Sequence, residues 1–406
     1  MQLLQVDTIA IARAKLLQAL SQQKLHTTTL PLSQLLGHIL AADIISPETV
    51  PAFDRSTVDG YAVIAADTVG ATEGIPAFLN IIGRVEMGQA TSLSLKPGDC
   101  VYVPTGAMLP HNTDAVVMVE YCESFGEGIA VYQAVAVGSH LTRRGEETAA
   151  GEVILQRGSR LRAPELGVLA CLGIVEAQVY QPLRLALIST GDELVAPSAT
   201  PKIGQVRDLN TTALAAQATA AGYLVGQKIV VPDQEELLLQ AVRSCLADHD
   251  LVVISGGSSQ GEKDATASVI AQSGQLLTQG LAAKPGKPTI TGYDQASATL
   301  LVGLPVHPIA AMLVFETLLS WLWRQLSGDS RSYLLQAELA HNLPGSPGKE
   351  TLQLVSLHEA EGHYIATPIW GKSALITRLA QADGYLVIDQ NTEGLAGGTM
   401  VRVHLI

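Results

Sequence analysis

Between residues 181 and about 328 the chain alternates short aliphatic runs with helical stretches, a rhythm that a parallel α/β sheet accepts and few other folds do. Strands are expected at 185–189, 224–231, 251–255 and 299–302, and helices at 211–221, 235–247, after Asp264, and at 309–326. Asn210 and Asp233 are placed as helix caps, Asp233 with Glu236 as a capping box, and Gly222 lies just past a helix end. In such a sheet, ligands collect beyond the carboxyl ends of the strands.

Three segments lie where that ligand crevice is expected. The first strand runs into Ser189-Thr190-Gly191-Asp192-Glu193, where Gly191 lets backbone amides approach a phosphate and Glu193 makes sense beside an anion chiefly as a ligand of Mg²⁺; a turn with a solvated glutamate is the alternative. The third strand ends in Ser255-Gly256-Gly257-Ser258-Ser259-Gln260-Gly261-Glu262-Lys263-Asp264. That loop offers N–H donors to a phosphate, and Asp264 can reach a cation, cap the next helix, or do both. Lys284-Pro285-Gly286-Lys287-Pro288 holds two ammonium groups near one another on a stiffened turn, which favours a bound oxyanion over a solvated loop.

Composition narrows what else is possible. With 406 residues there is room for roughly two to four domains. A formal charge of −13 excludes the broad basic surface that nucleic acids need. An anionic ligand must then be gripped locally. Aromatic residues are only 4%, so the cores must be aliphatic. Cys100, Cys122, Cys171 and Cys245 lie far apart and read as reduced core thiols of a cytoplasmic protein. No signal-type stretch opens the sequence, and the apolar region 300–326 is interrupted by Pro305, His307, Pro308 and Glu316, so it reads as strand, turn and core helix and not as a membrane span.

The flanking regions have other textures. Residues 1–45 look helical, with Leu32, Leu35, Leu36 and Ile39 continuing that pattern, and 152–180 turns helical again and is expected to pack back on them as a stalk. Residues 46–151 form a β-rich insertion, 181–328 the α/β domain, and 329–406 short strands that suggest a small β-barrel.

Seven segments then match a known family in order: PAFDRSTVDGYA (51–62), PTGAMLP with DAVVMVE (104–120), RRGEE (143–147), STGDEL (189–194), SGGSSQGEKD (255–264), KPGKP (284–288) and GLP (303–305). The chain resembles the molybdopterin molybdenumtransferases of the MoeA and gephyrin E-domain type over essentially its whole length. The resemblance implies an α/β and β multidomain fold: a three-layer molybdopterin-binding sheet domain, an elongated helical and β N-terminal region carrying the insertion, and a C-terminal barrel. It also implies a cytoplasmic homodimer that takes adenylyl-molybdopterin and molybdate as substrates with Mg²⁺ as cofactor and releases AMP, with the molybdopterin adenylyltransferase as a candidate partner and neither nucleic acid nor membrane involved.

Carried over position by position, Asp59, Thr105, Glu147, Glu193, Asp233 and Asp264 match catalytic positions, with Glu193 and Asp264 as the metal candidates. Gly256, Gly257, Ser259, Lys284, Lys287, Pro305, Pro308 and Ser373 match substrate-binding positions, the lysines as oxyanion binders. The chain departs from the family pattern at Glu147, one methylene longer than the usual acid, at Val306-His307-Pro308-Ile309-Ala310, at Ser258 and Gln260 where valines are common, and at Leu354 where many relatives carry arginine. These departures thin the molybdate pocket and keep open the alternative of a non-catalytic relative that binds molybdopterin or scaffolds a partner. A nucleotide pyrophosphatase of the CinA type would share only the sheet domain and leave 46–150 without a purpose.

Overall fold

The computed structural model describes residues 6–21, 23, 25–256, 265–329, 333–360 and 362–406. Its centre is a six-stranded sheet in the order Leu224–Val231, Arg184–Thr190, Leu251–Gly256, Thr299–Leu304, Ile290–Asp294, Gln275–Gln279. The first four strands are parallel and the last two join antiparallel to their neighbours. Strand period decides which side each residue serves. Leu185, Leu187, Leu251, Val253, Leu300 and Val302 face the helix Asn210–Ala221 and the long helical segment 308–327. Ala186, Ile188, Val252, Ile254 and Leu301 face the helices Glu235–Leu246 and Ala265–Ser273. The three-layer expectation therefore holds, and the continuous apolar run of 251–256 is what a strand buried on both faces requires.

The antiparallel pair Gln275–Gln279 and Ile290–Asp294 went unread in the sequence, because QLLTQ and ITGYD carry little alternation. The outer strand of the pair is not left bare: Asp7 bridges to Leu281, its carboxylate accepts from Thr278 Oγ1 at 2.7 Å, and Lys15 Nζ reaches both Asp7 (2.6 Å) and the Leu277 carbonyl (2.8 Å). The helix Ile9–Ala19, capped by Thr8, thus lies on the α/β domain and buries Ile9, Ala12 and Leu16 in its core.

Within 1–45, the part that 152–180 packs against is 30–44 and not this helix. Of the helical pattern read at 32–39 only a single tight turn, Leu32–Gln34, forms, directly after the strand Thr27–Pro31. The three β-branched threonines at 27–29 pair antiparallel with Glu176–Tyr180, and sheet pairing overrides the leucine spacing. The helix Ala163–Cys171 packs with Leu35, Leu40, Ile44 and Val179 in a small core of its own, away from Ile9–Ala19. All four cysteines are free, but Cys171 is exposed and Cys122 half-buried, so only Cys100 and Cys245 are core thiols.

The insertion is a six-stranded sheet in the order Ala115–Met118, Gly60–Val63, Asp99–Val103, Ala77–Arg84, Gly128–Val131, Cys122–Phe125, with an apolar cluster on each face. At the other end Glu350–Ala360, His363–Pro368, Leu334–Leu339, Met400–Leu405 and Gly384–Ile388 close into a five-stranded barrel through pairing of the first with the last. Alternation sends Ala337, Leu339, Val355, Ala366, Leu386 and Val403 inward. Among the described residues no helix is long and apolar enough to cross a membrane, and 300–326 is the strand, turn and helix expected.

Candidate active-site cleft

The strands end on glycines and hydroxyls for a steric reason. Gly256 has φ 138°, and a Cβ there would meet the Thr190 carbonyl oxygen of the neighbouring strand at 2.3 Å, so no side chain fits. On the next strand, Pro305 follows Thr299–Leu304, and Pro308 starts the helix Pro308–Val314 at its first turn, where a missing N–H costs nothing.

Between the two antiparallel strands the chain leaves the sheet as the loop 280–289. Gly280 donates to Thr289 O (2.8 Å), Leu281 to Lys287 O (3.0 Å), and the Thr289 hydroxyl to Gly286 O (2.7 Å), which locks the loop. Ala283–Lys284 then pairs with Glu350–Thr351 at the start of a barrel strand. Lys284 is therefore held by the barrel as well as by the sheet domain.

These parts enclose a cleft of ≈ 380 Å³. Gly256, Lys284, Lys287, Pro305 and Ser373 all line it, as the sequence expected, and so do His307 and Lys349, which sequence reasoning missed. Pro308 stands just behind, buried. Three lysines face the cleft, and none of its described lining residues is a carboxylate. In a protein with a surplus of acids, that is a local inversion of sign, and it favours an anionic guest.

Two hydrogen-bond systems shape the walls. His307 Nδ1 lies 2.8 Å from Ser373 Oγ and the Ile309 N–H donates to Ser373 O at 3.1 Å, clasping the barrel-side loop to the helix start. Asn210 Nδ2 donates to Ser255 Oγ and to the Val306 carbonyl, each at 2.8 Å. Asn210 is thus a brace for two strand tips and not the expected cap; Asp208, 5% exposed, caps that helix by accepting from Thr211 N. Asp233 is likewise no cap: its carboxylate accepts from Thr190 Oγ1, and the next helix begins at Glu235 without a side-chain cap.

The remaining expected site residues are placed elsewhere. Glu193, beyond the tip of Arg184–Thr190 and lying over Gly191, and Asp233, beyond the tip of Leu224–Val231, are exposed, but neither lines the cleft. Asp59 accepts from both the N–H (2.7 Å) and the hydroxyl (2.9 Å) of Thr105 inside the insertion, and the first of these bonds holds its carboxyl below the usual carboxylate range. Glu147 is exposed in the same insertion, which contributes nothing to the cleft of its own chain among the described residues. Gly257, Ser258, Ser259, Gln260 and Asp264 lie outside the described residues. A turn signal could have found Lys349: Ser346-Pro347-Gly348-Lys349 repeats the proline, glycine and lysine chemistry of 284–288.

Fold and cleft together define a multidomain α/β and β protein with a lysine-lined cleft at the strand ends. Comparison with known proteins makes that specific. The MoeA N-terminal region (domain I and II) matches residues 8–173, a probable molybdopterin binding domain matches 186–324, and the MoeA C-terminal region (domain IV) matches 336–406. Molybdopterin molybdenumtransferase 2 of Mycobacterium tuberculosis is 32% identical over 92% of this chain and 94% of its own. The molybdopterin molybdenumtransferase of Bacillus subtilis is 30% identical over 95% and 91%. A crystal structure of a MoeA protein from Pyrococcus horikosii superposes with TM-score 0.78 at 33% identity, covering 99% of both chains. The chain belongs to the MoeA family of molybdopterin molybdenumtransferases.

Proposed function

We propose that the lysine-lined cleft is where adenylyl-molybdopterin and molybdate meet, so that the phosphoanhydride is hydrolysed, AMP leaves and molybdenum cofactor is formed. By its family the chain is an enzyme of molybdenum cofactor biosynthesis, a molybdopterin molybdenumtransferase. The observation that carries the reading is the convergence of Lys284, Lys287, Lys349 and Ser373 around Gly256 with no carboxylate among the described lining residues. The ammonium groups bind the substrate's phosphate and the tetrahedral oxyanion, while Asn210 and the clasp of His307 on Ser373 fix the walls against which they are held. No finding favours the non-catalytic alternative.

The carboxylates at the two neighbouring strand tips suit a hydrated divalent cation. Among the described residues no three His, Cys, Asp or Glu side chains cluster as a complete metal cage. Mg²⁺ needs only one or two carboxylates beside water and phosphate oxygen, and exposed Glu193 and Asp233 offer them; Asp264 lies outside the described residues. When bound, the cation would neutralise charge on the phosphoanhydride.

A homodimer fits the incomplete cleft. Asp59, Thr105 and Glu147 line no wall of their own chain's cleft, which supports a second chain's insertion as the missing wall. The reading extends to a cytoplasmic protein supplied by the molybdopterin adenylyltransferase. Its test is AMP release from adenylyl-molybdopterin with Mg²⁺ and molybdate: turnover is expected, and Asp264→Asn should abolish it while leaving folding intact. Binding of molybdopterin without any AMP release under saturating molybdate would replace the enzyme with a carrier.

A further inference from the structure

Beyond the Lys284-Pro285 wall lies a second cleft of ≈ 340 Å³, lined by Ile309, Leu352, Leu354, Trp370 and Arg378 and sharing Lys284, Pro285 and Ser373 with the first. We propose that Arg378 binds the tetrahedral oxyanion from this second cleft, holding it against Lys284 and Ser373 while the phosphate of the larger substrate occupies the first. The inference rests on the reading of the first cleft as the substrate site.

Four observations support it. None of the described residues lining the second cleft is a carboxylate, so Arg378 has no countercharge there. Among the described residues its guanidinium makes a single long contact, 3.5 Å to Gln381 Oε1 and at the limit for a hydrogen bond, and its side chain is exposed. The guanidinium is free to fork onto an oxyanion. Its stem passes beside Gly371, with Cγ 3.5 Å from where a Cβ would stand, which lays the side chain along the loop that carries Ser373. Finally, position 354 lines the same cleft with a leucine only 5% exposed, so the barrel strand itself supplies no charge, and the short helix Ile376–Leu379 is the element that does.

Calorimetric titration of the full chain with molybdate, alongside AMP release, tests the assignment. Arg378→Gln, which keeps the stem, should weaken molybdate binding about tenfold or more with the thermal unfolding midpoint unchanged. Adding Leu354→Arg to that variant should recover most of the loss by returning a guanidinium to the same cleft. Molybdate uptake and AMP release in Arg378→Gln equal to those of the unaltered chain would overturn this inference and leave the proposed function standing. Failure of the unaltered chain to release AMP removes the proposed function instead.

Discussion

The cleft and the insertion both carry charged residues in irregular loops, and they use them in opposite ways. At the cleft, Lys284, Lys287 and Lys349 face open space without acidic partners among its described lining residues. In the insertion the charges are spent on the protein itself: Asp54 holds Arg143 Nη1 at 2.9 Å and the Arg144 N–H at 2.7 Å, Glu146 accepts from Arg143 N, and Asp59 closes on Thr105. The difference separates a surface waiting for a charged guest from one whose loops are already satisfied, although both were singled out by the same kind of motif.

That contrast can be broken most directly at Lys284. Lys284→Ala should weaken molybdate binding by on the order of tenfold at low ionic strength and by less in high salt, because exposed charges are screened within about 8–10 Å at ordinary salt. A loss that ignores salt would remove the Coulombic role. Asn210→Ala tests the brace: it removes two hydrogen bonds and should cost about 1–2 kcal/mol in denaturant unfolding, with weaker substrate binding than that stability loss alone explains. Unchanged binding would make Asn210 purely structural.

The insertion should respond to acid instead. Burial pushes the Asp54 carboxyl up, but the Arg144 N–H and the Arg143 guanidinium more than offset it, and Asp59 is lowered by the Thr105 N–H. Both folded values lie below the ordinary aspartate value of about 3.9, so their support is complete above that pH and fades as pH falls through the lowered values. Hydrogen-exchange protection of the Thr105 and Arg144 amides should hold at pH 5 and decline below about pH 4. The smallest effect is expected from Asp59→Asn, whose amide oxygen can still accept from Thr105; wild-type stability with sharply lower AMP release would show that Asp59 does chemistry as well as tie a loop.

Much of this was legible because period and glycine placement report directly on a sheet buried on both faces. Strand 224–231 and Gly222, in the left-handed region at φ 104°, are where the sequence put them. Lys284 and Lys287 were found because their motif lies beyond an apolar run, and Ser373 only through the family resemblance. What failed did so for identifiable reasons. Leucine spacing at 32–39 mimicked a helix where the chain only turns after the paired threonine run of 27–29, and Asn210 looked like a cap because its tertiary partners, Ser255 and Val306, are invisible in one dimension. Arg378 had no motif at all, since its relevance arises only when the barrel closes beside the sheet domain.

The pairing of Ala283–Lys284 with Glu350–Thr351 gives the molecule a mechanical link. Any rocking of the barrel would drag that lysine past the strand tips, so grip on a captured phosphate and its later discharge could be set by a few ångströms of lever travel, with the sheet staying rigid.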